Sequence, residues 1–321
     1  MKRISWKKGM RLTDEVFRMS DACTSEQISN AMMMAAAGRF GLFPQCSFGV
    51  SIDIKGSTID VVSIDCLAVT RDGSLIDVNY DSSYNNTFNT SAAMPQTSSS
   101  SHLLVSICVV KDRWCEVADG LCEPVYAYIV TDENTPIPSN GLPIARLVSD
   151  GGAWRVDEEG FVPPCLFVSS HSRYMEMASN IRTQLQQINT ACAAKAKSAG
   201  RDVLRVFWPV LMQTMIAVDK ELVTMTPMQL LGNVQKCVGA FAAGFALSDQ
   251  SELPNAETYL EYAKVPYNYK EVLLRLKQGI SLLNDLSEKV SRFGEAAPKP
   301  APAPAPETQR PAPRRWSGMS I

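Results

Sequence analysis

The feature that most constrains this chain is a change of hydrophobic period at one place, Pro163-Pro164. Before it, Phe48, Val50, Ile52 and Ile54 alternate with Gly49, Ser51 and Asp53, the spacing of a strand with one buried face. After it, Tyr174, Met177, Ile181, Leu185, Ile188 and Cys192 recur every three or four residues, the spacing of a helix with one buried stripe. Neither period can serve the other element, so a β part must be followed by a helical part. Two adjacent prolines remove two backbone donors and force the residue before them to be extended. The joint is therefore read as stiff, fixing the angle between two bodies.

In the β part, Lys55-Gly56 turns the first strand back into "STIDVVSID", and Arg71-Asp72-Gly73 turns "CLAVT" into "SLIDV". Further strands are expected at 103–111, 123–131, 142–149 and 161–168, and the polar run 80–101 reads as a long loop. Short strands separated by turns predict an antiparallel β-sandwich. Ahead of them, "TSEQISNAMMMAAAG" reads as a helix, with Thr24 and Gln27 as a capping box and Gly38 at C′.

In the helical part, a second stripe (Val203, Phe207, Val210, Met215, Val218, Leu222) carries Pro209, which is expected to kink the helix or delay its start. A third opens with Thr226-Pro227-Met228-Gln229, a cap, a proline at N1 and a capping-box Gln. The fourth opens at Asn268 and runs through Leu276, Ile280, Leu283, Leu286 and Val290. Four stripes predict a four-helix bundle. From Glu295 an Ala-Pro alternation reads as a polyproline strut ending in Arg314-Arg315-Trp316, a composition that suits a docking peptide. The fold class is thus α+β: a β-sandwich domain with an N-terminal helical segment over 1–170, a helical bundle stalk over 171–294, and an Ala/Pro-rich extended tail over 295–321.

A formal net charge of −2 leaves no field to attract nucleic acid or anionic lipid. The most apolar window, 31–43, is short and carries Arg39, so direct membrane insertion is not expected. Nine cysteines form no CxxC pair. Cys108, Cys115 and Cys122 recur every seven residues, but with only His102 and His171 beside them no metal site is assigned. Neither a phosphate-binding glycine loop nor a nucleophile elbow is present, so no cofactor and no catalytic residue is assigned and the chain is read as a non-enzyme. His171 is given surface or capping duty, and Asp157-Glu158-Glu159 a solvated acidic turn.

Four stretches, in this order, resemble the TssK family of type VI secretion baseplate subunits: "ISWKKGMRL" with Trp6, Gly9, Met10 and Leu12; "CLAVTRDGSLIDV"; "GLPIARLV" followed by "DEEGFVPPCLFVSSHSRY"; and "TPMQLLGNVQKCVGAFAAGF". The resemblance implies a shoulder β-sandwich and a helical stalk assembled as a homotrimer, with the shoulder docked on a baseplate wedge of TssF- and TssG-like proteins. It implies a structural, cytoplasmic part of a contractile injection system at the inner face of the inner membrane. Two departures stand out: "TDEVF" follows Leu12, and the strut occupies the place of the family's C-terminal head domain. The expected interface residues are Trp6, Gly9, Met10, Leu12, Phe161, Pro163 and Pro164, with Arg314, Arg315 and Trp316 offered to a membrane-complex component. The alternatives are a phage tail baseplate or receptor-binding/fibre-anchoring protein with the same shoulder and stalk, and a glycan-binding sandwich using the 80–101 loop.

Overall fold

The computed structural model describes residues 7–44, 47–81, 90–95, 100–118, 121–197, 201–247 and 256–293. Among them helix α1 (Asp14–Ala35) leads, antiparallel sheets follow, and the remaining helices close an α+β chain. The first sheet is built around β3 (Thr58–Val69), which pairs with β1 (Gly41–Leu42), β2 (Gly49–Lys55), β4 (Leu75–Asp81) and β5 (Ser91–Ala93). The second has the order β7-β6-β8-β9, from β6 (His102–Ala118), β7 (Leu121–Asp132), β8 (Gly141–Asp150) and β9 (Ala153–Val156). Ile59 and Val61 are buried on β3, and then Ile64, Cys66 and Ala68. The buried set changes parity where Ser51 pairs Ser63 but Ile52 pairs Val61, leaving Val62 as the extra residue of a bulge. The bulge lets one long strand keep its apolar side chains on the core.

Residues 161–168 form no ladder. Their pairing is a single parallel bridge, Leu42 to Cys165, because Pro163 and Pro164 have no N–H to give. The run 80–101 is not all loop, since it holds the end of β4 and β5. Helix α1 begins at Asp14, not at Thr24: Thr13 Oγ1 accepts from the Val16 N–H at 3.4 Å, while Thr24 Oγ1 donates to the Ser20 carbonyl within the helix. Asp14 and Glu15 in the first turn favour that earlier start. At the other end Ala37 takes the left-handed C′ position (φ 51°), and Gly38 donates to Met33 O one place further out.

The helices after the joint are α2 (Ser172–Lys195), α3 (Arg201–Glu221), α4 (Pro227–Ala246), α5 (Ala256–Lys264) and α6 (Val272–Ser291). Helix α2 packs on α3 and α6, α4 packs on α3 and α6, and short α5 lies against α4. Pro209 does not delay α3, which starts at Arg201 and carries the proline inside it. Arg205 and Pro209 are exposed, where water can satisfy the carbonyl left without its partner. The cap of α4 is as expected: Thr226 Oγ1 accepts from Gln229 N at 3.1 Å and Gln229 Oε1 from Thr226 N at 2.8 Å. Helix α6 starts at Val272; Asn268 instead closes a turn, its Oδ1 accepting from Lys270 N at 3.1 Å. One apolar core runs without a break from Leu42 and Ile144 through Val162, Cys165, Val168 and Tyr174 into Ile181, Val234 and Leu283.

Candidate functional site at the joint between sheets and helices

The segment that crosses from sheet to helix is held on both sides. Leu42 of β1 donates its N–H to Pro164 O at 2.8 Å and accepts from Leu166 N at 3.1 Å. This approach depends on Gly41, whose φ is +134° and whose absent Cβ would overlap the Pro164 carbonyl. Opposite, Val168 N donates to Met225 O at 2.7 Å and Ser169 Oγ to Val223 O at 2.8 Å, both in the α3–α4 turn. Pro163 and Pro164 are buried between these anchors, and Phe161 packs with Leu104, Ile137 and Tyr269. The contacts of these three expected interface residues therefore lie inside the chain.

A polar clamp lies beside the segment. Arg146 of β8 points Nε and Nη2 at Asp157 Oδ2 (2.8 and 2.6 Å), and Nη1 at Glu133 Oε1 (3.4 Å) and the Lys270 carbonyl (3.3 Å). Lys270 returns a bond from Nζ to the Glu133 carbonyl, and Lys277 Nζ of α6 reaches Glu159 O at 3.2 Å. Tyr269 meets the Phe40 ring edge-on at 5.5 Å, with the Arg71 guanidinium 4.4 Å from Phe40 and 5.8 Å from Tyr269. The loop before α6 is thus riveted to the sheets by charge and by edge-to-face rings.

Asp157 is not a solvated turn residue; its side chain is 16% exposed, against 13% for Arg146. Burial alone would raise its pKa, but the hydrogen bonds from Arg146 and from the Gly160 N–H outweigh that and hold it below the usual carboxylate range. A methyl group at Gly160 would stand 2.6 Å from Arg146 Nη2, so the pair needs glycine there. The signal for this clamp was an Arg inside the apolar strand "GLPIARLV", since an inward Arg requires a partner. Tyr269 gave no such signal. His171 has the capping duty assigned to it: its Nδ1 accepts from Arg173 N at 3.2 Å at the start of α2. Burial, helped by nearby Arg173, pushes its pKa down to about 4.

Trp6, Arg314, Arg315 and Trp316 lie outside the described residues. Met10 N donates to Lys7 O at 3.0 Å in a turn that contains Gly9 (φ 83°), and Leu12 is 61% exposed just beyond it. Sequence reasoning missed a second exposed apolar set, Met212, Ile216 and Val223, on the outer face of α3 and the turn after it. Among the described residues no group of three His, Cys, Asp or Glu could hold a metal ion, and no helix is long and apolar enough to cross a membrane.

Residues 122–225, from β7 to the end of the α3–α4 turn, match the family model described as "Bacterial Type VI secretion" (EvfL, ImpJ, VasE). Among curated proteins none matches by sequence. Solved structures match over most of the chain. A chain of the cryo-electron microscopy structure of the type VI secretion system TssK-TssF-TssG baseplate subcomplex is 17% identical with a TM-score of 0.56, covering 90% of this chain and 99% of that one. TssK of the type VI secretion system of EAEC, solved with a nanobody, is 15% identical with a TM-score of 0.52 over 85% of this chain and 69% of that one. A crystal structure of TssK is 12% identical, TM-score 0.59, over 89% of this chain and 69% of that one. Residues 122–225 thus match the type VI secretion family model, and the fold that spans both sheets and helices is similar to that of the TssK structures.

Proposed function

We propose that this chain is a structural adaptor of a type VI secretion baseplate, docking through its sheets on a wedge of TssF- and TssG-like proteins and acting without catalysis. The observation that carries this reading is the fold shared with nearly the whole of a chain from a TssK-TssF-TssG subcomplex. The clamp suits the role, because an adaptor must transmit position between its two ends and a riveted joint does so where a flexible linker would not. The turn around Gly9 and Met10 and the exposed Leu12 are the wedge-facing surface. Ile216 and Val223 supply an apolar seam through which three copies associate along the helices. The assembly stands at the cytoplasmic face of the inner membrane, with residues 308–321 turned towards a membrane-anchoring component. Co-expression with TssF- and TssG-like wedge proteins tests the reading. A complex that survives gel filtration, and that Leu12→Asp weakens, is expected. Failure of the intact chain to co-purify with either wedge protein would overturn it.

A further inference from the structure

The far end of the helices carries an apolar groove that none of the described residues fills. It measures about 400 Å³ and is lined by Ala196 at the end of α2 and by Leu204, Arg205, Trp208, Pro209 and Met212 of α3. Trp208 is fixed rather than free, since its Nε1 donates to Asn189 Oδ1 of α2 at 2.8 Å. That bond presents the indole as a half-buried platform beside an exposed proline. A fixed aromatic ring in a groove is the lining on which polyproline helices dock, because ring packs on ring and the ligand is already extended.

The chain itself supplies such a ligand at this end. Gly244, near the end of α4, lies against Val203 of α3, where a Cβ would stand 2.9 Å from the Val203 carbonyl. Phe245 packs on Phe293, just past α6, at 5.8 Å. So α6 stops at the end of the helices where the groove opens, and residues 294–321 continue from there with Pro298, Pro300, Pro302, Pro304 and Pro306. Crossing a bundle end of about 15 Å takes about five residues at about 3.1 Å each, which brings the Ala-Pro repeat to the groove. From Leu204 to Met212 the helix rises about 12 Å, the length of about four polyproline residues.

We infer that the Ala-Pro segment around 300–306 of the same chain folds back and seats on Trp208 and Pro209. It leaves Arg310, Arg314, Arg315 and Trp316 to project from a fixed point on α3 rather than from the tip of α6. The inference concerns the chain alone and stands or falls independently of the wedge reading. The test is a photo-crosslinking amino acid placed at Ala303 in the full chain, with the products mapped by peptide mass spectrometry. Crosslinks to residues 204–212 at the mass of a single chain are expected, reduced severalfold both by Trp208→Ala and by Pro302→Gly with Pro304→Gly. The second variant leaves the folded body untouched, so loss of crosslinking there cannot be a folding defect. No crosslink to α3, crosslinks only between copies, or a yield indifferent to the proline changes would each overturn the inference.

Discussion

Arg146 serves two carboxylates and a carbonyl from a position almost closed to water, so its removal takes a partner from three groups at once. Losing one member of a buried ion pair costs about 3–5 kcal/mol. We expect Arg146→Ala to lower stability by about 3 kcal/mol in urea unfolding, and Gly160→Val to mimic much of the loss by displacing the pair. His171 gives a separate signature with pH. Its folded pKa of about 4 lies below the ordinary 6.5, so the unfolded chain binds a proton that the native chain refuses between those values. Stability from this residue is complete above 6.5 and declines as pH falls towards 4. Asp157, also depressed when folded, adds a loss of the same sign only below the ordinary carboxylate range. Denaturant midpoints measured across this window should fall with acidity in the native chain and flatten in His171→Gln.

At the scale of elements, what could be read from the residues was local. The turns at Lys55-Gly56 and Arg71-Asp72-Gly73 and the cap at Thr226 each hold their determinants within a few positions, and each is present in the structure. What escaped notice depends on distant partners: β1 is two residues long and gains its meaning only from Pro164 and Val69, and α5 is a short helix specified by its seat on α4. The same logic governs the crossing segment. Its two prolines are buried, so replacing them by Ala adds two N–H donors where few acceptors are free, at about 1–3 kcal/mol for each one left unpaired. Gly41→Ala meets the problem from the other side, with a disallowed φ and an overlap with the Pro164 carbonyl; we expect a loss of about 2 kcal/mol. Thermal unfolding of the three variants, followed by circular dichroism, checks both. Thr226→Ala, which removes the cap of α4 beside the Met225 anchor, is expected to cost about 1 kcal/mol.

The molecule as a whole should behave as one cooperative body, because a single core passes from the sheets into the helices. Calorimetry is expected to show sheets and helices unfolding in one transition, and two separable transitions would contradict it. Light scattering should return three times the chain mass, and Ile216→Asp with Val223→Asp should bring it to one. The clamp also has a bearing on how the protein is made. Arg146 and the Lys270 carbonyl it holds are 124 positions apart. At about 5–20 residues per second a ribosome needs about 6–25 s to deliver the second after the first. For that interval the sheets present Arg146, Phe161 and Phe40 to solvent without the loop that covers them, a sticky edge awaiting its cover. The contacts that make the joint rigid therefore close late on the nascent chain, at the stage where a chaperone has most to protect.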